Sequence, residues 1–193
     1  MSSPPSVPHP TGPLNANDPP PTDDHPLPIV LGLDPGTATL GFAVVADRGR
    51  GNLYLVEAGA IVTSPDQPIA ERLTRLHEGV LEVIGRCGPT ESAIERLFFS
   101  RNVTSALAVG QARGAVILAV AQSGLSIAEY TPAEIKQSVT SYGNADKRQV
   151  QEMVRILLRL TAAPRPDDVA DAAAIAICHH HSRRLTRLVA GGR

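Results

Sequence analysis

Four carboxylates stand out as residues that could do chemistry together. Asp34 follows a run of apolar residues and opens an Asp-Pro-Gly turn, and Glu95 lies inside a short apolar segment. Asp168 and Asp171 follow Pro166 and are three residues apart, a spacing that puts both on one face of a helix. Because acids in apolar surroundings are costly without a partner, a group of them requires a cation. These residue types therefore point to the binding of divalent metal ions.

The ligand chemistry narrows the choice of metal. Oxygen ligands alone favour Mg²⁺ or Mn²⁺ over zinc. Two such ions about 4 Å apart can activate a water molecule and stabilise the leaving oxygen when a phosphodiester is hydrolysed. We therefore predict that Asp34, Glu95, Asp168 and Asp171 form one pocket that could hold such ions.

Most of these acids also have a simpler explanation, which the residue pattern leaves open. Asp before Pro-Gly is common turn chemistry, so Asp34 could serve only to form its turn. Acids in the first turn of a helix satisfy free N–H groups and the helix dipole, which would account for Asp168 and Asp171. Neither explanation covers Glu95, because a charged residue inside an apolar strand is seldom buried without a partner.

The elements that would position these acids can be predicted from the apolar pattern. Residues 29–45, IVLGLDPGTATLGFAVV, predict two strands joined by a tight turn, and residues 53–62 alternate as a third strand. Short turns between these strands indicate an antiparallel meander. Helical spacing then runs from residue 67 to about residue 85, and residues 91–99 predict a fourth strand. A helical crossover precedes that strand, so it should run parallel to the first and share its edge.

Small residues dominate the next element, a helix predicted over residues 103–121. In this helix Gly110 and Gly114 would allow close contact either with the sheet or with a second subunit. A fifth strand is predicted over residues 125–130.

Three helices complete the predicted fold. Thr131 and Glu134 form a capping box at the start of the first, Asn144 is expected to cap the second, and the third runs over about residues 167–187. The fold class is thus α/β, a five-stranded mixed sheet with helices on both faces. This order of elements resembles the ribonuclease H-like fold.

The N-terminal leader differs in composition from the rest of the chain. Ten of the 17 prolines fall within residues 1–28, and this stretch has neither an apolar run nor a basic flank. We therefore expect a disordered, Pro-rich tail rather than a signal peptide or a membrane anchor. The ribonuclease H-like domain is predicted over residues 29–188, followed by a flexible C-terminus at 189–193.

Composition and charge bound the cellular setting. No apolar run reaches the ~18 residues of a membrane span, and the lone Cys87 and Cys178 fit a reducing cytoplasm. The net charge is −1, yet residues 96–165 carry nine Lys and Arg against four Asp and Glu. This local basic surface could contact phosphates, although a solvated surface of mixed charge would also account for it.

Four segments carry a resemblance to a known family. They are LGLDPGTATLGFAVV, AIERLFFSRNVTSALAVGQARG, EYTPAEIKQSVTSYGNADKRQVQ and PDDVADAAAIAICH, in unbroken order between residue 29 and about residue 181. Together they resemble RuvC, the family of bacterial Holliday junction resolvases. The resemblance implies a homodimeric, Mg²⁺-dependent endonuclease that cuts four-way DNA junctions in recombination and repair. Paired symmetric nicks would leave 5′-phosphate and 3′-hydroxyl ends.

The same resemblance implies roles for individual residues. It makes the four acids the catalytic ligands of Mg²⁺ or Mn²⁺, and it implies that Phe98 stacks on bases near the junction centre, although core packing would also explain Phe98. It marks Lys136 and Lys147 as DNA-contacting. Lys147 has separate support, because a cation in the first turn of a helix opposes the helix dipole and its presence there is better explained by a phosphate. Further expected DNA contacts are Arg101, Asn102, Gln111, Arg113 and Arg148. Members of the family work with the RuvA and RuvB branch-migration proteins, so we expect a shared complex.

Two other functions and a zinc site fit single features of the sequence. The turn at Asp34 also resembles the first phosphate loop of sugar kinases and actin-like ATPases, but those folds need a second domain with its own phosphate loop. A junction-binding protein without catalysis is opposed by the presence of all four acids. The run CHHH at residues 178–181 suggests zinc, which we disfavour because it lies ~12–15 Å along the helix from Asp171. Histidines near a helix C-terminus are explained by the dipole.

Overall fold

The fold is built on one mixed sheet. The structure, a computed structural model, describes residues 28–49, 51–96 and 103–191, and it gives no side-chain detail for residues 103–106 and 187–191. The sheet order is β3-β2-β1-β4-β5, in which the first three strands are antiparallel and the last two run parallel to β1. This confirms the predicted meander and the parallel fourth strand. The strands are β1 (Ile29–Pro35), β2 (Thr39–Asp47), β3 (Leu53–Val62), β4 (Glu91–Glu95) and β5 (Ile127–Tyr130).

Two strands are shorter than predicted. β4 ends at Glu95 instead of residue 99, and residues 97–102 lie outside the described part of the chain. β5 begins at Ile127 because the Leu125 N–H still bonds to the Val120 carbonyl of the preceding helix, at 3.3 Å. The chain turns there through Gly124, whose φ of 73° is a conformation that glycine adopts freely.

In the described part of the chain, five helices cover the two faces of the sheet. Against one face pack α1 and α2, whose apolar side chains meet those of Leu31, Leu33 and Leu40. Against the other face pack α3, α4 and α5, over Val30, Ala43 and the other residues of a second core. The prediction of helices on both faces is therefore confirmed. The helices are α1 (Ile69–Cys87), α2 (Val103–Gln122), α3 (Pro132–Thr140), α4 (Lys147–Leu157) and α5 (Asp167–Gly191).

Reciprocal side-chain caps begin α3 and α4. The predicted capping box of Thr131 and Glu134 is confirmed at the start of α3. The prediction that Asn144 caps α4 is wrong, because Asp146 caps that helix and accepts the Gln149 N–H at 2.9 Å. Gln149 in turn accepts the Asp146 N–H, so an acid with a glutamine three residues later outcompetes the earlier asparagine.

Two glycines let α5 lie directly on the strands. A Cβ atom on Gly41 would collide with the carbonyl of Asp168 and come within 2.9 Å of the Val169 nitrogen. A Cβ atom on Gly32 would collide with the carbonyl of Ala172. The start of α5 is therefore pressed against β1 and β2, which fixes where its first-turn acids can lie.

The helix α2 turns a small-residue face outwards. Its buried apolar residues are Ala112, Val116, Ala119 and Val120, whereas Leu107 is 63% and Leu118 52% exposed. No described atom outside α2's own backbone and immediate neighbours lies within 4 Å of a Cβ placed on Gly110 or Gly114. These glycines therefore do not bring α2 close to the sheet, and contact with a second subunit remains the other prediction for them.

The predicted ends of the domain can be compared only in part. The Pro-rich leader falls on residues 1–27, which lie outside the described residues, as do residues 192 and 193. The last helix continues to Gly191, beyond the predicted domain end at residue 188, because its sequence offers no helix breaker before that glycine. Among the described residues, no helix combines the length and apolar character that a membrane span requires.

Candidate active site

The first two acids meet at one end of the sheet. Asp34 is the second-last residue of β1 and Glu95 is the last residue of β4. The parallel register pairs Leu33 with Ile94, so the next residue on each strand is one of these acids. A buried apolar strand that ends in a Pro-Gly turn is what places Asp34 at this edge.

The third and fourth acids come from the start of α5. Asp168 lies in its first turn and Asp171 follows one turn later on the same face. Gly41 is the register partner of Asp34 on β2, and it is also the glycine that contacts the backbone of Asp168. The missing side chain at Gly41 therefore allows the acids of α5 to approach the end of β1.

Electrostatic coupling shows that the four acids share one environment. Burial, followed by the charges of Asp171, Glu95 and Asp168, raises the pKa of Asp34 to about 7. Burial and the charge of Asp171 likewise raise the pKa of Glu95, against the opposing effect of nearby cations. Burial raises the pKa of Asp171 as well. Like charges collected in a partly buried pocket favour protonation, or a cation, over a set of bare carboxylates.

A lysine supplies positive charge to this pocket. The Lys147 ammonium lies 3.1 Å from Asp171 Oδ2 and 3.4 Å from Asp167 Oδ2. Partial burial would lower the pKa of Lys147, but hydrogen bonds and charge from Asp171 and Asp167 outweigh it and raise that pKa. Lys147 begins α4, where the dipole disfavours a cation, so these acids account for its position in the described conformation.

As placed, the acids are coupled but not yet arranged as ligands. Within the described ranges, no three Asp, Glu, His or Cys side chains already form a group that could hold a metal ion. Carboxylates that share a pocket repel one another, and Lys147 neutralises part of the charge of Asp171.

A cavity of about 250 Å³ opens beside these acids. Its floor is apolar, formed by α3, α4 and α5, and its rim carries two acids and two lysines. A rim of both charges over an apolar floor suits a ligand with a phosphate and a less polar body. The rim residues are Glu95, Asp171, Lys136 and Lys147.

The predicted DNA contacts fall into three groups. Lys136 and Lys147 lie at the rim of the cavity, and Gln111 and Arg148 are exposed on α2 and α4. Arg113 is only 8% exposed, which differs from the expectation of a surface contact. The other three, Phe98, Arg101 and Asn102, lie outside the described residues, so their roles stay predictions.

The histidine run is held by separate hydrogen bonds. His179 lies between the Tyr130 hydroxyl, at 2.8 Å, and Glu91, at 2.7 Å. His180 bonds to the Val45 carbonyl and His181 to Ser138. The explanation from the helix dipole was wrong, because α5 continues for ten further residues. Hydrogen bonds in different directions place these rings.

Sequence reasoning missed two contributors to the site. Asp167 holds Lys147 and also accepts hydrogen bonds from Gln151 at 3.0 Å and Arg165 at 2.9 Å. Its neighbour Asp168 drew attention first, and only the position of Arg165 close before it in the chain could have indicated an ion pair. The contact of Gly41 with α5 gave no signal in the sequence, since it depends on how a distant helix packs.

The fold and the acid cluster together are those of a ribonuclease H-like nuclease. The family model for crossover junction endodeoxyribonuclease RuvC matches residues 30–179. The chain belongs to this RuvC family, whose members are metal-dependent nucleases. The turn at Asp34 therefore belongs to a RuvC nuclease and not to the phosphate loop of a sugar kinase or an actin-like ATPase.

Individual relatives agree with this assignment. The chain is 52% identical to RuvC of Rubrobacter xylanophilus over 165 residues, which covers 86% of this chain and 92% of the relative. It is 54% identical to RuvC of Chloroflexus aggregans over 152 residues, covering 79% and 92%. The structure of Thermus thermophilus RuvC in complex with Holliday junction substrate superimposes with a TM-score of 0.78 at 41% identity, covering 82% of this chain and 96% of the other.

Proposed function

We propose that this protein resolves four-way DNA junctions by cutting two symmetry-related strands with paired, metal-dependent nicks. The observation that carries the proposal is the coupling of Asp34 to Asp171, Glu95 and Asp168, three acids from two other elements. Membership of the RuvC family and the junction complex of a relative support junction DNA as the substrate.

The donor set fits divalent cations. All four proposed ligands are carboxylates, which suits Mg²⁺ or Mn²⁺. Burial is the largest cause of the raised pKa of Asp34, and the charges of Asp171, Glu95 and Asp168 add to it. A doubly charged ion would relieve the repulsion among these carboxylates. Asp34, Glu95, Asp168 and Asp171 would hold the ions, which when bound supply an activated water molecule and charge for the leaving oxygen.

Lys147 and Lys136 are proposed to orient the substrate. Cations at Asp171 would weaken its attraction for the Lys147 ammonium, which Asp167 would still hold at the rim. From the same rim, Lys136 and Lys147 could both contact the phosphates that flank the bond to be cut. Attack of water on phosphorus with cleavage of the P–O3′ bond gives a 5′-phosphate and a 3′-hydroxyl.

Two nicks on one junction require two active sites, and we propose that α2 forms the contact between two subunits. Between residues 107 and 121, its exposed residues recur in alternate steps of four and three, the spacing of a helix seam. Glycine and alanine in that stripe would let two helices approach closely, while two leucines supply apolar contact. The stripe consists of Leu107, Gln111, Gly114, Leu118 and Ala121.

We also propose a working complex with the RuvA and RuvB branch-migration proteins in the cytoplasm. This part rests on the family alone. Phe98, Arg101, Asn102 and Arg148 remain proposed DNA contacts on the same basis, and Gln111 is shared between that role and the α2 stripe.

The test uses a mobile four-way junction with each strand labelled in turn. Incubation with Mg²⁺ or Mn²⁺ should give paired nicks at symmetric positions, mapped at nucleotide resolution, and the products should be sealed by ligase. Linear duplex of the same sequence is the control and should stay largely intact. Tight junction binding without nicks in either metal would instead favour the non-catalytic alternative.

A further inference from the structure

Arg113 is buried in a place where the site proposal gives it no task. The residue is 8% exposed, and Ala112 and Val116 beside it on α2 are fully buried. A buried arginine needs partners for its charge and its donors, and Arg113 has two. Its Nη2 lies 2.8 Å from Glu129 Oε1, and its Nη1 donates to the main-chain carbonyl of Glu95 at 2.5 Å.

The carbonyl of Glu95 lacks a partner in the sheet. The main-chain N–H groups of Ser92 and Arg96 donate hydrogen bonds towards β5. Successive residues of a strand point their main-chain groups to opposite sides, so those of Glu95 point towards β1. Continuing the register beyond Leu33 and Ile94 brings Pro35 to the position from which β1 would donate to Glu95. Proline has no N–H, so the strand cannot satisfy this carbonyl. Arg113 supplies the missing donor.

We infer that Arg113 is a positioning residue for Glu95, and that it acts through the Glu95 main chain rather than by contacting DNA. Glu129, on β5 beside Ile94, fixes the guanidinium from its other side. The peptide that carries Glu95 is therefore held between β5 and α2 where β4 ends. Because Glu95 is a proposed cation ligand, an error in its position weakens cation binding.

This inference rests on the proposed function, in which Glu95 binds a divalent ion. It opposes the expectation that Arg113 contacts a phosphate. A phosphate contact contributes to the salt dependence of DNA binding, whereas a positioning residue does not. The two roles can thus be separated by measurement.

The experiment compares Arg113→Met, Arg113→Lys, Glu129→Gln and the double variant of Arg113→Met with Glu129→Gln against the parent protein. Arg86→Met is the matched control, because it removes an ion-paired arginine whose partner Glu57 lies on β3, at the far edge of the sheet. Three quantities are measured well below each melting temperature: the Mn²⁺ Kd by calorimetry without DNA, the nicking rate with saturating junction, and the junction Kd in Ca²⁺ over a range of salt.

For Arg113→Met we expect the Mn²⁺ Kd to rise about tenfold and the nicking rate to fall about 10–100-fold. Its junction Kd should stay within about twofold of the parent, with the same salt slope. Arg113→Lys should recover part of the loss, since an ammonium can reach one of the two partners. Glu129→Gln should have a smaller effect and add nothing to Arg113→Met, because both act through one guanidinium.

Two results would overturn the inference. One is an unchanged Mn²⁺ Kd together with a salt slope lower by about one unit, which would make Arg113 a DNA contact. The other is a lower melting temperature with an unchanged Mn²⁺ Kd and nicking rate, which would leave Arg113 a purely structural role. If Arg113→Met does not fold, Arg113→Lys decides by the same criteria. Failure of the parent itself to nick junctions would refute the proposed function, and the Mn²⁺ comparison would still test Arg113.

Discussion

At the scale of single residues, the site combines unfavourable interactions that protonation or a bound cation relieves. Asp34 lies where burial and three neighbouring acids all oppose its charge, and its pKa is raised to about 7. Lys147 offsets part of this by pairing with Asp171 and Asp167. The stability of the cation-free protein should therefore depend on the charge of Asp34.

Replacing Asp34 by Asn should stabilise the cation-free protein at high pH. The folded state holds the Asp34 proton more tightly than the unfolded state, whose carboxyl titrates near 3.8, so stability falls as pH rises from about 3.8 to about 7. In EDTA at pH 8 we expect Asp34→Asn to be about 2–4 kcal/mol more stable than the parent. The two should be equal near pH 4. Denaturant unfolding at both pH values measures this, and equal stability at pH 8 would contradict it.

Removing the ammonium of Lys147 should separate cation binding from catalysis. Lys147→Met takes away a positive charge that competes at Asp171, so the Mn²⁺ Kd without DNA should fall about two- to fivefold. The nicking rate should drop at least about tenfold, because a phosphate contact is lost. Calorimetry and single-turnover cleavage give the two numbers. A weaker Mn²⁺ affinity in Lys147→Met would show that the lysine supports the ions instead.

At the scale of elements, the site depends on how closely α5 lies on the sheet. Gly41 and Gly32 permit that close approach. Without it, the acids of α5 would not reach Asp34. A change in the packing of α5 against the sheet should therefore also change cation binding by its acids.

A methyl group at Gly41 should push α5 away from β2. Gly41→Ala meets the backbone of Asp168 and Val169, which cannot yield like a flexible side chain, so we expect a loss of about 2–4 kcal/mol and a weaker Mn²⁺ affinity. Gly85→Ala is the matched control, because that exposed glycine in α1 has no described atom close enough to clash. It should stabilise the protein by about 0.5–1 kcal/mol. Equal unfolding curves for the two variants would refute the packing argument.

Most elements could be predicted because their apolar periodicity is clear. The sequence could not show which side of a helix is buried where apolar or small residues occur on nearly every side. The helix α2 is apolar or small on nearly every side, so its pattern did not indicate that Ala112 and Val116 face inwards and Leu107 and Leu118 outwards. The burial of Arg113 could not be predicted either, because its partners, Glu129 and the Glu95 carbonyl, come from distant strands.

At the scale of the whole molecule, the exposed stripe of α2 is the feature that a single subunit leaves unexplained. Leu107 and Leu118 expose apolar surface on one straight face, at the spacing of a helix seam. Two copies joined there would present two active sites to one junction.

A charge in this stripe should therefore dissociate the dimer. We expect Leu118→Glu to sediment as a monomer at micromolar concentration while keeping its fold and its Mn²⁺ affinity. Leu185→Glu, which changes a leucine on α5 that is 65% exposed, is the control and should stay dimeric. The Leu118→Glu protein should also lose paired nicking, because one subunit cuts one strand. A dimeric Leu118→Glu protein would place the subunit contact elsewhere.

The central claim is that Asp34 and its three partner acids act as one cation site that cuts the junction. The most direct measurement compares parent and Asp34→Asn for binding and nicking of one labelled four-way junction in Mn²⁺. The account predicts a junction Kd within about twofold of the parent and no detectable nicks from Asp34→Asn. Cleavage by Asp34→Asn at the parent's rate would contradict it.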